Sequence, residues 1–401
     1  MKQTGSNLKK VRQNNQTLLL QHIALGTAQT RAELARVTGL SKMTVTNLVA
    51  DLVERGFLEE VPCAALPLPG RPPVILQPGE KAPRLCGVLI RRGVCQAVLT
   101  TLSGTVLTEE SIPFSPQEMD AEKLVQILEE LVRRIRLAAP DTVPAIGVAS
   151  PGPVDTVRGI IRNPPDFGGI SDLELVQVLK QDTGLPVWLI HDANAGALAE
   201  TLYGAGRTMR SFVYLHIMNG IGAGLVLNGT LFSGDCGQSC EIGHTSIRYD
   251  GPKCSCGNRG CLDLYANLAQ MRRTVREKAA EHPVSPLSAL PEPEWVDFLT
   301  AAKQGDGLAN AALEEFCTYL SHALVNLLNS LDIANVIVGY PAPDGCTILE
   351  TLLQERLNRD VIYAEYRSPK LLHSGFGNSA PLIGAAACVA ERIFSGELKI
   401  G

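Results

Sequence analysis

The sequence predicts an α/β protein in which an N-terminal winged helix-turn-helix precedes a two-lobed body carrying a structural zinc site. Three observations predict it. Residues 16–60 show helical apolar spacing broken by capping and turn signals. From residue 85 onward strand-like and helix-like segments alternate, the pattern of layered α/β folds. His244 to Cys261 then gathers one His and three Cys within eighteen residues.

In the head, Leu18, Leu19, Ile23 and Leu25 mark a first helix. Thr30-Arg31-Ala32-Glu33 reads as a capping box opening a second, with Leu34 and Val37 toward the core. Gly39 ends it, because the tight turn favours a residue free to take positive φ. Ser41 caps a third helix whose apolar face is Val45, Leu48, Val49 and Leu52, at i, i+3, i+4, i+7 spacing. Ala35, Gly39 and Val45 fit the helix-turn-helix pattern of a small contact residue, a turn glycine and an aliphatic plug. The opposite face carries Lys42, Met43, Thr44, Thr46 and Asn47, side chains suited to phosphates and base edges in a major groove. Phe57–Glu60 and Val74–Leu76 can pair as a wing, with Arg71 near its tip as a phosphate or minor-groove contact. A three-helix bundle serving only protein contacts would show the same polar face. Double-stranded DNA is the better-supported partner.

The charge distribution agrees. Net charge is −5, yet residues 1–60 hold eight Lys/Arg against five Asp/Glu, leaving −8 on the remaining 341 residues. A basic head on an acidic body lets only the head meet a polyanion, although so small an imbalance proves nothing alone.

The chain of 401 residues has room for two or three domains, and 45% hydrophobic with 19% charged residues is ordinary for a soluble protein. No apolar run reaches transmembrane length and the polar start MKQTGSNLKKVRQNNQ is not a secretory signal, so no membrane partner is expected. Eleven scattered cysteines do not form the even framework of a small secreted domain, and a thiolate metal site points to a reducing cytoplasm.

In the body, Leu85–Ile90, Gln96–Leu99 and Val106–Glu110 read as strands, Asp120–Leu137 as an amphipathic helix and Ala145–Ala149 as a buried strand. A second lobe follows, with glycine-rich strands around Val213–Leu227. His282–Glu294 is proline-rich and reads as an exposed loop; no internal repeat is evident. The expected limits are a head over 1–77, a linker over 78–84, a first lobe over 85–195 to which 380–401 returns, and a second lobe over 196–379.

The metal loop, 244–261, has H-x9-C-x-C-x4-C spacing through His244, Cys254, Cys256 and Cys261. Closed His/Cys₃ sets are typical of structural Zn²⁺, and Gly257 and Gly260 let the chain double back on itself. Buried thiols that merely lie close together are the competing reading.

Several motifs, in order, carry a resemblance: Ser150-Pro151-Gly152-Pro153-Val154-Asp155, His191-Asp192-Ala193-Asn194, Asn219–Gly224, Glu241-Ile242-Gly243-His244 and the cysteine loop. Together they resemble the ROK family of sugar-responsive repressors and sugar kinases, over nearly the whole chain. The resemblance implies an actin-like, sugar-kinase-like body whose two lobes close on a sugar. It implies that Asp192 binds a sugar hydroxyl, as the kinases' general base does, and that Glu241 and His244 hold the sugar. His244 would then give one ring nitrogen to zinc and the other to the sugar. Asp192 can equally cap the helix after it, and Asn194 can be a turn residue. Two positions depart from the family pattern: Asp166 stands where Asn is usual, and Asp263 where Glu is usual. With Asp192 and Glu241 they would gather four carboxyl groups, which favours a neutral or amino-bearing sugar over a sugar phosphate. A solvent-facing Asp166 is an equal alternative.

The kinases' phosphate cradle, an Asp followed by a Gly-Gly-Thr turn, is replaced here by Leu89-Ile90-Arg91-Arg92-Gly93. Leu cannot hold Mg²⁺, so ATP chemistry is expected to be lost. Three functions remain in view. The first is a sugar-switched repressor binding a palindromic operator as a homodimer, which can pair further into a tetramer. The second is an active sugar kinase with a DNA-binding head; the third is a DNA-bound regulator that answers to a protein partner.

Overall fold

The computed structural model describes residues 7–62, 74–164 and 167–399. By its internal contacts the chain forms two units, Met1–Ile190 with Ala385–Gly401, and His191–Gly384.

The first unit opens with α1 (Leu8–Ala24), α2 (Arg31–Thr38) and α3 (Lys42–Glu54). Helix α1 starts well before the first apolar cluster, because the Asn7 side chain accepts the Lys10 N–H and caps it. Its buried face is Leu19, Leu20, Ile23 and Ala24. Leu18 and Leu25 are only half-buried. The capping box at Thr30 and Glu33 is present, Gly39 closes α2 at φ +69°, and the Ser41 side chain accepts from the Thr44 N–H. Val45, Leu48, Val49 and Leu52 are buried as their spacing requires. Val37 departs from expectation: it is 43% exposed, since eight-residue α2 buries Leu34 alone.

The wing is an antiparallel pair, β1 (Leu58–Pro62) with β2 (Val74–Pro78), in register Leu58 to Pro78. Its tip, with Arg71, lies outside the described residues. Beyond β2 the Gly79 and Lys81 N–H groups donate to the Phe57 and Gly56 carbonyls, and the Arg84 N–H donates to Thr142. The segment after the wing is thereby hydrogen-bonded at both ends.

A five-stranded sheet follows, built from β3 (Leu85–Arg91), β4 (Val94–Thr100), β5 (Val106–Pro113), β6 (Ile146–Ser150) and β9 (Val187–His191), in the order β5-β4-β3-β6-β9. Strands β7 (Val154–Asp155) and β8 (Ile160–Ile161) form a small antiparallel pair. Helix α4 (Ala121–Ala138) buries Leu124, Leu128, Leu131, Val132 and Ile135, one helical face, in the same core as α5 (Leu175–Thr183).

The second unit has α6 (Asp192–Tyr203), β10 (Phe212–Ile217), β11 (Ile221–Leu227) and β12 (Thr230–Phe232). After the cysteine loop come α7 (Leu268–Lys278), α8 (Trp295–Lys303), α9 (Gly307–Leu331), β13 (Asn335–Gly339), α10 (Ile348–Asp360), α11 (Ala364–Arg367) and β14 (Lys370–His373). Helix α12 (Ala380–Phe394) spans the boundary between the units in sequence. The strand order is β12-β11-β10-β13-β14. In both units the first strand pairs antiparallel with the second and parallel with the fourth. The body is thus a topological repeat that no sequence repeat announces. His282–Glu294 is more than an exposed loop: Pro286–Ala289 forms a 3-10 turn with Leu287 buried, and Ser285 donates to Asp306.

Candidate functional site

On the head, Lys42, Met43, Thr46 and Asn47 are exposed on α3, with Met43 70% accessible, while Thr44 is half-buried. The hydroxyls are engaged locally: Thr46 donates to the Lys42 carbonyl, and Thr44 shares a hydrogen bond with Ser41. Of the head's other cations, Arg12 and Arg55 pair with Asp51, and Arg31 pairs with Glu60. Part of the basic surplus is therefore neutralised within the head. Lys42 has no such carboxylate partner among the described residues, which leaves its ammonium available to a phosphate.

The metal-ligand set comes together as the sequence predicts. One donor atom each from His244, Cys254, Cys256 and Cys261 lies within 4.8 Å of every other. Cys254 Sγ is 3.8 Å from His244 Nδ1, and Cys256 Sγ is 3.6 Å from Cys261 Sγ. Thiolate bonds of about 2.3 Å in a tetrahedron require edges of about 3.8 Å, so these residues fit a zinc ion. The loop is held by backbone bonds from Cys254 to Asn258, Gly260 to Pro252 and Ile247 to Gly260. Gly260, at φ +62°, is obligatory: a Cβ there would lie 1.7 Å from the Arg248 carbonyl oxygen. Burial raises both Cys254 and Cys261, but hydrogen bonds from Cys256, Cys261 and His244 bring Cys254 down to about 7. Cys261, beside the charge on Cys254 and Cys256, goes up to about 12. Sulfurs this close do not all ionise without a cation among them.

The acid cluster sits against this loop. Glu241 and His244 flank a 3-10 turn, Ile242–His244, in which three residues per turn bring positions i and i+3 onto one face. Asp263 lies in a second such turn, directly after Cys261. Its Oδ1 accepts the Ile221 N–H at 3.1 Å, and a Cβ on Gly243 would lie 2.7 Å from that oxygen. Burial raises the Asp263 pKa, the Ile221 bond and His244 lower it, and the Glu241 charge raises it again.

Asp192 opens α6, and its Oδ1 accepts the Ala193 N–H at 2.6 Å; the N-cap position itself is His191. Asn194 is no turn residue: it is buried within α6 and donates to the Gly237 carbonyl. Asn219 and Gly220 belong to the short connection between β10 and β11, where the Met218 N–H donates to Gly220. Asp166 lies outside the described residues.

Sequence reasoning missed His191. Its side chain is 6% exposed, with Nε2 at 3.5 Å from Asp192 Oδ1 and 3.8 Å from Glu241 Oε1. Adjacency to Asp192 was its sole sequence signal.

Leu89, where a kinase-like cradle would place a carboxylate, is fully buried in β3. The strand continues through Arg91, and the chain turns at Gly93, φ +82°. No described helix is long and apolar enough to cross a membrane.

The MarR family profile matches residues 12–65, the head. A xylose repressor of Bacillus spizizenii is 29% identical over 383 residues, covering 95% of this chain and 96% of its own. A glucokinase of Thermotoga maritima is 32% identical over 274 residues, covering 66% of this chain and 86% of its own. The crystal structure of a ROK family transcriptional regulator, described as a homolog of the E. coli MLC protein, superposes with a TM-score of 0.80 at 26% identity. That likeness covers 97% of this chain and 98% of the other. The ROK family profile itself matches residues 87–392, most of the length, and with the paired sheets and the cysteine loop already in place the chain belongs to the ROK family.

Proposed function

We propose that this chain is a sugar-responsive transcriptional repressor. The observation that carries the reading is the union, on one chain, of a winged helix-turn-helix with an exposed polar face on α3 and a cluster of three carboxylates beside a His/Cys₃ set. The full-length likeness to a named xylose repressor, head included, supports it; the glucokinase likeness covers only 66% of the chain. Lys42, Met43, Thr44, Thr46 and Asn47, with Arg71 on the wing, contact duplex DNA. Two heads on a homodimer meet two half-sites of a palindromic operator.

The effector is a sugar held by Asp192, Glu241, His244 and Asp263, with Asp166 as a further contact. A polyol loses water from each hydroxyl on binding, and fixed carboxylate acceptors replace it. The sugar acts only through a difference in its affinity for the DNA-binding and released states. Zn²⁺, the ion suited to this donor set, braces the loop that carries the acids, in a cytoplasm where thiolates stay reduced.

The kinase reading is the alternative that the glucokinase likeness favours. Against it stands Leu89, an apolar side chain buried where phosphoryl transfer needs a carboxylate. Selection of bound DNA from a random library, repeated with D-xylose and D-glucose, tests the proposal, with a coupled ATPase assay alongside. Sugar-sensitive recovery of one palindrome without turnover supports repression. Sugar-dependent ATP turnover that requires Asp192 overturns it.

A further inference from the structure

We propose that His191 is a positioning residue of the effector site: its Nε2–H is shared by the Asp192 and Glu241 carboxylates and sets them to receive a neutral polyol. The inference rests on the sugar site proposed above. His191 ends β9 at the junction with α6, and at 6% side-chain exposure its ring has no room to swing outward. A Cβ on Gly222 of β11 would lie 3.8 Å from His191 Cε1, so that strand lies alongside the ring. Nε2 lies 3.5 Å from Asp192 Oδ1 and 3.8 Å from Glu241 Oε1. Nδ1 is buried and has no hydrogen-bond partner among the described residues.

That arrangement chooses the tautomer. A proton on Nδ1 would bury an unpaired donor and aim the Nε2 lone pair at two carboxylates. A proton on Nε2 places the donor between them, which costs far less. One oxygen of each carboxylate is then committed within the protein: Asp192 Oδ1 to the Ala193 N–H and His191, Glu241 Oε1 to His191. Asp192 Oδ2 and Glu241 Oε2 remain, one acceptor each for a ligand hydroxyl. Because the imidazole already supplies a donor to the acids, the ligand need not bring an ammonium. Neutral sugars fit this cluster better than amino sugars.

Isothermal titration of the full-length protein with D-xylose, D-glucose and D-glucosamine tests this, with zinc content as a check on the fold. The wild type is expected to bind a neutral sugar about tenfold or more tightly over D-glucosamine. His191→Leu, which fills space without a donor, is expected to weaken that sugar by about tenfold, the loss of one charge-assisted bond. His191→Gln, which restores an N–H donor, is expected to return within about threefold of the wild type. Nitrogen-resolved spectra of the wild-type imidazoles need no variant: they are expected to place the His191 proton on Nε2 and to shift with sugar. A proton on Nδ1, undiminished affinity in His191→Leu, failure of a folded His191→Gln to recover, or a preference for D-glucosamine each overturns the role of His191. A wild type that binds none of the three sugars overturns the sugar site itself.

Discussion

The two glycines of the cysteine loop separate a conformational cost from a steric one, and so test whether this loop is built around a metal. Gly257 has φ +96° with nothing within 4 Å of an added Cβ. Gly260 has φ +62°, but its added Cβ would lie 1.7 Å from the Arg248 carbonyl oxygen. Gly257→Ala therefore carries only the left-handed penalty, about 1–2 kcal/mol, or about 5- to 30-fold in metal affinity. Gly260→Ala carries that and must also move. Moving breaks the bonds Gly260 makes to Pro252 and from Ile247, both 2.9 Å, at about 1 kcal/mol each. The sum is about 3–4 kcal/mol, a loss of about two to three orders of magnitude in affinity. Competition for Zn²⁺ against a chelating indicator reads both variants, with elemental analysis for stoichiometry. A Gly260→Ala protein binding zinc within about threefold of wild type, or Gly257→Ala failing more severely than Gly260→Ala, refutes this account.

Three further outcomes are expected. Lys42→Ala lowers operator affinity and reduces the slope of log affinity against log salt by about 0.9, measured by fluorescence anisotropy across a salt series. Asn47→Ala changes which base is preferred at one operator position, by about 1–3 kcal/mol, and leaves that slope unchanged. Glu241→Ala keeps operator affinity and loses release by sugar; a variant that responds normally moves the effector elsewhere.

Local chemistry was the legible part of this chain. The capping box at Thr30, the αL glycine at 39 and the Ser41 cap each depend on residues within one turn, and each stands where expected. The start of α1 was missed because the Lys9–Asn15 stretch is polar, although Asn7 supplies the cap. Val37 was placed inward by spacing, but an eight-residue helix packed through Leu34 does not bury a second aliphatic three positions on. The proline density of His282–Glu294 suggested a loop; Pro286 instead opens a 3-10 turn, where its missing N–H costs nothing. The repeated sheet order was illegible, since strand order depends on which faces are buried and not on residue identity. In the site, the four metal ligands announced themselves by spacing, and the acids by motif. His191 has neither signature: it ends a strand, and only folding brings Glu241 across to it.

The metal loop and the acids form one mechanical unit. Glu241 precedes a metal ligand by three residues on a single turn, and Asp263 follows another by two. Fixing His244 and Cys261 to one ion therefore fixes the backbone that aims two of the effector carboxylates, without the ion touching the sugar. A sugar that binds these acceptors finds their ordering cost already met when the metal is present. Linkage makes the relation reciprocal: whatever factor zinc adds to sugar affinity, sugar must add to zinc affinity. Measuring each titration with the other ligand present and absent closes that cycle. Two independent factors of one would mean that the cysteine loop serves stability alone and leaves the acids in place without it.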